Sequence, residues 1–160
     1  MIATIDIINF REEFIIEIAD LFHLAVHSID PVIYSLEEQE AWAPTPPDYT
    51  KWSLRLKKTK PFLAIVDYKL VGFIELDNNG HIDCLYTHPS NQREGVASAL
   101  FNHLLVHAKN MNLQFLSVEA SYLAKEFFEK QGFKVVKQNK VIRNDVILSN
   151  FAMIRKLFKE

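Results

Sequence analysis

An apolar, strand-like run from Ile82 to Thr87 hands over to a helical repeat of Val96, Ala97, Leu100, Phe101, Leu104, Leu105 and Ala108, and a further strand, Phe115 to Val118, comes after it. A strand–helix–strand unit obliges its two strands to run parallel, with the helix crossing one face of the sheet. The handover is the segment Gln92-Arg93-Glu94-Gly95-Val96-Ala97. Gly95 and Ala97 carry little or no side chain, so an anion can reach the N–H groups that a helix start leaves unsatisfied, and the helix dipole favours its charge. The chain has only four glycines. One at this turn and another, Gly132, after a later helix are placed rather than scattered.

The remaining pattern puts antiparallel neighbours around that unit. Thr4 to Ile8 alternates as a first strand, and Asn9 with Glu12 offers a helix cap before the repeat Phe14, Ile18, Leu21, Phe22, Ala25, Val26. A second helix, Ser35 to Trp42, is stopped by Ala43-Pro44-Thr45-Pro46-Pro47, and a third runs from about Tyr49 to Lys57. Pro61 to Val66 and Leu70 to Leu76, joined by Asp67-Tyr68-Lys69, read as a hairpin, and Asp77-Asn78-Asn79-Gly80 as a turn. Ser121 is placed to cap the next helix, Gly132 to end it, and two more strands fill the C-terminal third. The fold class is α/β, with a mixed, mostly antiparallel sheet flanked by helices and one central parallel strand pair.

At 160 residues and 49% hydrophobic, the chain suits one domain spanning 1–160. A formal net charge of -2 gives no global attraction to nucleic acid or to an anionic membrane. The start, Met1-Ile-Ala-Thr-Ile-Asp, has no basic or long apolar block, and no stretch approaches membrane-spanning length. With a single cysteine, Cys84, a cytoplasmic protein is expected.

The turn Gln92-Arg93-Glu94-Gly95-Val96-Ala97 resembles the acyl-CoA signature of the GNAT superfamily of N-acetyltransferases: Gln or Arg, two residues, Gly, one residue, then Gly or Ala. Upstream, Ile82-Asp83-Cys84-Leu85-Tyr86-Thr87-His88-Pro89 resembles the family's fourth strand and its loop. Downstream, Ser121 through Gly132-Phe133 resembles its second motif, a helix ending in Gly-Phe. These motifs cover about the central third of the chain, and more loosely the N-terminal part is similar to small bacterial members. The resemblance implies a GNAT-like sheet whose fourth and fifth strands splay for acyl-CoA, and acetyl-CoA as cosubstrate with no metal. Amides of Arg93, Glu94, Gly95, Val96, Ala97 and Ser98 would hold the pyrophosphate behind Gln92. Main-chain groups of Cys84, Leu85, Tyr86 and Thr87 would hold the pantetheine arm, and Ser121, Ala124, Phe127 and Phe128 would flank it. The Leu85 amide, or one beside it, is the candidate oxyanion donor.

The implied reaction moves an acetyl group to a primary amine of a small molecule or of a protein or peptide, in a monomer or homodimer without nucleic-acid or membrane partners. It needs a base. Asp83 is the first choice, with Glu75 and Glu119 as alternatives; each also reads as a solvated or salt-bridged carboxylate. Phe128 departs from the family, which commonly has there a tyrosine thought to protonate the leaving thiolate. Tyr122 or Tyr86 could stand in, or the role could be dispensable, since thiols have pKa values of about 8.5. A non-catalytic acyl-CoA-binding regulatory module is the alternative.

Other pairings are weaker. His23 with His27, and His103 with His107, share a helical face, but Leu24 and Leu104 stand where a zinc-protease signature needs Glu, and no third ligand is evident. His81 and His88 flank Cys84, yet a cysteine in an apolar strand is usually a small buried hydrophobe. Tyr34, Trp42, Tyr49 and Trp52 read either as an aromatic wall for a cationic amine or as half-buried core.

Overall fold

The chain's amphipathic segments form two layers of helix on either face of one sheet. The computed structural model describes residues 4–158. Its strands are β1 (Asp6–Ile8), β2 (Phe62–Val66), β3 (Lys69–Leu76), β4 (His81–Thr87), β5 (Phe115–Ala120), β6 (Lys134–Arg143) and β7 (Val146–Lys156). They lie in the order β1-β2-β3-β4-β5-β7-β6, and only β4 and β5 are parallel. The mixed, mostly antiparallel sheet with one parallel pair is therefore present as expected.

The helices are α1 (Ile15–His27), α2 (Leu36–Trp42), α3 (Tyr49–Thr59), α4 (Val96–Asn110) and α5 (Lys125–Lys130). Ile18, Leu21 and Leu56 from α1 and α3 pack with Leu63, Phe73 and Cys84 on one face of the sheet. Val96, Leu100, Phe101, Leu104 and Ala108 of α4, with Phe128 of α5, pack with Ile74, Ile82 and Leu116 on the other. Each fully buried large side chain contributes about 2 kcal/mol relative to exposure, so these seams hold the helices more than propensity does. Among the described residues no helix is long and apolar enough to cross a membrane.

Three local expectations are corrected. Thr4 to Ile8 is a strand only over Asp6–Ile8. Asn9 caps nothing, because a 3-10 turn over Glu12–Phe14 leads into α1, and neither has a side-chain cap. Ser121 does not cap α5 itself: its Oγ accepts from the Ala124 amide at 3.2 Å, which closes the turn before that helix. By contrast, α2 carries a full capping box, Ser35 with Glu38, and Asp48 caps α3.

Two features of β3 and β4 shape the sheet around its parallel pair. Gly72 of β3 lies under the start of α4, where a Cβ would stand 2.8 Å from Val96 Cγ1 and 2.9 Å from the Tyr86 carbonyl. The missing side chain lets α4 begin directly over the sheet. On β4, Leu76 pairs with Ile82 and Glu75 with Cys84, so Asp83 is the extra residue of a β-bulge. The bulge reverses the alternation: Ile82 and Leu85 join the α4 face, and Cys84 and Tyr86 the α1 and α3 face.

Candidate active site

β4 and β5 pair only at His81 with Ser117 and Ile82 with Val118. Beyond Ile82 the strands part, and from the bulge onward the edge of β4 that faces β5 is open. Two cavities occupy the gap. One, of about 410 Å³, is lined by Leu85, Tyr86 and Thr87, by Gln92, Arg93, Gly95, Val96, Ala97 and Ser98, and by Ser121, Ala124 and Phe127. The other, of about 520 Å³, holds His81, Asp83, Arg55, Glu119, Arg143 and Asn150, with Phe22, Tyr34, Trp42 and Tyr86 as aromatic walls. Trp42, Tyr86 and Ser121 line both. The cavities meet there.

The first cavity ends at the turn into α4. Arg93 has a φ of 63° and Gly95 a φ of 86°, both left-handed, and no side chain caps the helix. The helix ladder begins with the Ala99 amide on the Gly95 carbonyl at 3.0 Å, so the preceding first-turn amides have no partner within the helix. A Cβ on Gly95 would meet nothing within 4 Å. Packing therefore does not demand glycine here; the left-handed backbone does, and so does open space in front of the amides. Glu94 lies outside the cavity, exposed, and accepts from Asn91 Nδ2 at 3.1 Å.

The second cavity is polar. Burial pushes the Asp83 carboxyl up, with His81 opposing and Glu75 and Asp77 adding to the shift. His81 Nε2 stands 3.8 Å from Asp83 Oδ1, and its Nδ1 is bonded to Ser117 Oγ at 2.8 Å. Glu119 accepts from Asn150 Nδ2 at 3.4 Å. A carboxyl whose pKa is raised by burial holds a proton more readily than an ordinary one.

Several sequence-derived site residues are not where the chemistry would need them. Glu75 is fully buried, gripped by both arms of the Arg55 guanidinium and accepting from Thr59 Oγ1 at 2.6 Å. Its oxygens are committed to an ion pair rather than directed into a cavity. Cys84 lies on the α1 and α3 face, with Arg55 Nη2 donating to its sulfur at 3.0 Å, and burial pushes the thiol well up. It is a packed thiol, not a nucleophile. Replacing Arg55 by methionine would leave the Glu75 charge buried without a counterion. We expect a loss of about 2 to 3 kcal/mol, read from the urea midpoint and moderated by the half-exposed position of Arg55.

Phe128 is also corrected. It is 1% exposed, held edge-on by Phe101, Phe127 and Phe133, and lines neither cavity. Both Phe127 and Phe128 are expected from the resemblance to flank the pantetheine arm; the helix turns Phe127 to the cavity and Phe128 to the core. Phe128→Tyr is expected to lower stability by about 1 to 3 kcal/mol, because its hydroxyl would enter an apolar cluster, and to give no gain in turnover. Thermal unfolding and initial rates check this. Tyr122 is half-exposed and lines neither cavity, with its hydroxyl 3.4 Å from Gln138 Nε2 and its ring edge-on to Phe151. Tyr86 stands at the junction instead, its phenol kept neutral mainly by burial and bonded to Trp42.

Of the four early aromatics, Tyr34 and Trp42 line the second cavity. Tyr49 and Trp52 do not: Tyr49 donates to Asp20, and Trp52 packs on Phe22 under the Arg55 guanidinium. His23 and His27 stack at 4.1 Å, and α2 brings Glu40 to them as the third group that the sequence lacked. All three are engaged: His23 with Thr45 Oγ1, His27 with the Ala43 carbonyl, and Glu40 with the Thr45 amide and hydroxyl. They fasten α1 and α2 to the proline loop. His103 and His107 lie edge-on against Phe62. Arg55, Arg143 and Asn150 reach the second cavity from α3, β6 and β7 and carry no local sequence signal, since only tertiary packing brings them there.

The model of the acetyltransferase (GNAT) domain matches residues 33–154. The uncharacterized N-acetyltransferase YafP of Escherichia coli (strain K12) is 34% identical over 149 residues, covering 93% of this chain and 94% of that protein. A GCN5-related N-acetyltransferase structure from Rhodopseudomonas palustris superimposes with a TM-score of 0.92 at 31% identity, covering 98% of both chains. PaiA N-acetyltransferase from Thermoplasma acidophilum, solved in complex with coenzyme A, shares the fold with a TM-score of 0.76 at 22% identity, covering 96% of this chain and 99% of that one. With the turn's resemblance to the acyl-CoA signature, the parted strands and these likenesses in agreement, the chain belongs to the GNAT acetyltransferases.

Proposed function

We propose that this protein transfers an acetyl group from acetyl-CoA to a primary amine, with the cofactor in the cavity that ends at Gly95 and the amine in the cavity that holds Asp83. The carrying observation is that the two cavities meet at Trp42, Tyr86 and Ser121, where β4 and β5 part. First-turn amides of α4 bind the pyrophosphate, aided by the Arg93 side chain. The pantetheine arm pairs with the open edge of β4 as an added strand would. PaiA, bound to coenzyme A on the same fold, supports this placement.

Asp83 takes the proton from the ammonium, directly or through water, and the neutral amine attacks the thioester carbonyl. The Leu85 amide, or one beside it, receives the oxyanion. As the carbon–sulfur bond breaks, CoA leaves as the thiolate with a hydrogen bond from the neutral Tyr86 hydroxyl, and the new amide nitrogen gives up its remaining extra proton to solvent. Glu119, the other carboxylate of the cavity, helps hold the ammonium. The acyl-CoA-sensor alternative drew on Phe128; with Phe128 in the core, the hydroxyl is sought at Tyr86 and the sensor loses its motive. The unit acts as one domain over 1–160, as a monomer or homodimer in the cytoplasm.

The test is calorimetric titration with acetyl-CoA, then release of free CoA thiol across a panel of amines. Saturable binding and amine-dependent thiol release are expected. A well-folded protein that binds no acetyl-CoA would sink the assignment.

A further inference from the structure

The acceptor cavity is roofed and carries separated charges of both signs. The β6–β7 hairpin folds over it, and Asn144 Nδ2 at its tip donates to the Ala41 carbonyl of α2 at 3.0 Å. Farther back, Tyr34 Oη donates to the Ser149 carbonyl at 3.2 Å and accepts from the Tyr122 amide at 3.0 Å. These bonds tie the roof to α2 and to the segment after β5. Behind this hairpin, a volume of about 520 Å³ suits a free small molecule.

The charges then select among small amines. Arg55 is neutralised by the buried Glu75. What remains is Asp83, with His81 3.8 Å from it, and Glu119 on the sheet side, and Arg143, exposed at the end of β6, which among the described residues has no ion-pair partner. Aliphatic polyamines would set their extra positive charge against Arg143. A molecule with an ammonium at one end and an anion at the other satisfies both sides.

Resting on the acetyl-transfer reading, we propose that the acceptor is a small zwitterionic amine, its ammonium held at Asp83 and Glu119 and its carboxylate or phosphonate held by Arg143. Arg143 thus sets specificity: its fork can take the two oxygens of such an anion in parallel. Acetylation removes the positive charge, and the product, now a net anion facing two carboxylates, is released more readily.

The experiment compares thiol release with α-amino acids, ω-amino acids, aminoalkylphosphonates, the methyl esters of the same amino acids, spermidine and a lysine peptide, in wild type and in Arg143→Gln and Arg143→Lys. At least one anionic amine is expected to exceed its ester by about tenfold or more in kcat/KM, with the carboxylate and phosphonate arms telling the two anions apart. Arg143→Gln should collapse that ratio through KM, and Arg143→Lys should restore part of it. Acetyl-CoA affinity of both variants, measured in parallel, confirms that they fold. A panel in which only spermidine or the peptide is acetylated, in which no anionic amine is used, or in which the ratio survives Arg143→Gln overturns the proposal. Acetyl-CoA binding and turnover on any amine stand apart from it, so failure of the acetyl-transfer reading is seen separately.

Discussion

Gly95→Glu is expected to abolish measurable acetyl-CoA binding while leaving a folded protein. The glycine φ of 86° lies where a side chain costs about 1 to 2 kcal/mol, and nothing stands within 4 Å of the added Cβ. The variant therefore loses little stability. Its carboxylate, however, is put at the mouth of the α4 amides, where it competes with the pyrophosphate by both volume and charge. A cofactor held there by several charge-assisted hydrogen bonds, each worth about 1.5 to 3 kcal/mol, should lose two or more decades of affinity. Calorimetry reads the affinity and thermal unfolding the stability. Gly95→Ala separates the causes, since it introduces the strain without the charge and should bind with an intermediate affinity. Unchanged affinity in Gly95→Glu would move the pyrophosphate away from this turn.

Asp83→Asn is expected to reduce kcat by about a hundredfold to ten-thousandfold with acetyl-CoA affinity unchanged, because asparagine keeps the shape of the bulge but cannot take a proton. The pH profile carries the more specific signature. Burial raises the Asp83 pKa, so the fall of kcat/KM on acidification begins at a higher pH than for an ordinary carboxylate. In Asp83→Asn that limb should vanish from the residual rate. Stability moves the other way. A carboxyl whose folded pKa is raised binds its proton more tightly in the native state, so the relative stability it contributes is full below its unfolded pKa and is lost as pH rises through the folded one. At neutral pH the ionised Asp83 is a cost, and Asp83→Asn should unfold at the same temperature as the parent or higher. Lost turnover without lost stability is what a functional carboxylate predicts. If Asp83→Asn turns over like wild type and Glu119→Gln does not, the base is Glu119.

These contrasts show which parts of the site were legible. The glycine turn and the helix after it are local: glycine placement, the uncapped helix start and the apolar period all reside in about twenty consecutive residues. Gln92, Arg93, Gly95, Val96, Ala97 and Ser98 duly line one cavity. The carboxylates were harder. Asp83, Glu75 and Glu119 look alike as letters, and what separates them is the company each keeps. Arg55 and Thr59, from a helix some twenty residues earlier, bind Glu75, whereas the bulge leaves Asp83 in the cavity. A bulge depends on how two strands register, so no residue within β4 announces it. Phe128 failed for a related reason, since a six-residue helix has too few positions to declare its buried face.

The order of strands and helices, the single parallel pair and the glycine turn into α4 were thus determined by the sequence alone, because hydrophobic period, turn chemistry and helix-end electrostatics act between near neighbours. Which carboxylate lines a cavity, which tyrosine faces the junction and where Arg143 meets the second cavity were decided only by the tertiary structure. Desolvation and ion pairing depend on residues that the chain brings together from α1, α3, β6 and β7, and the free energy of a charge is set by that assembled surrounding.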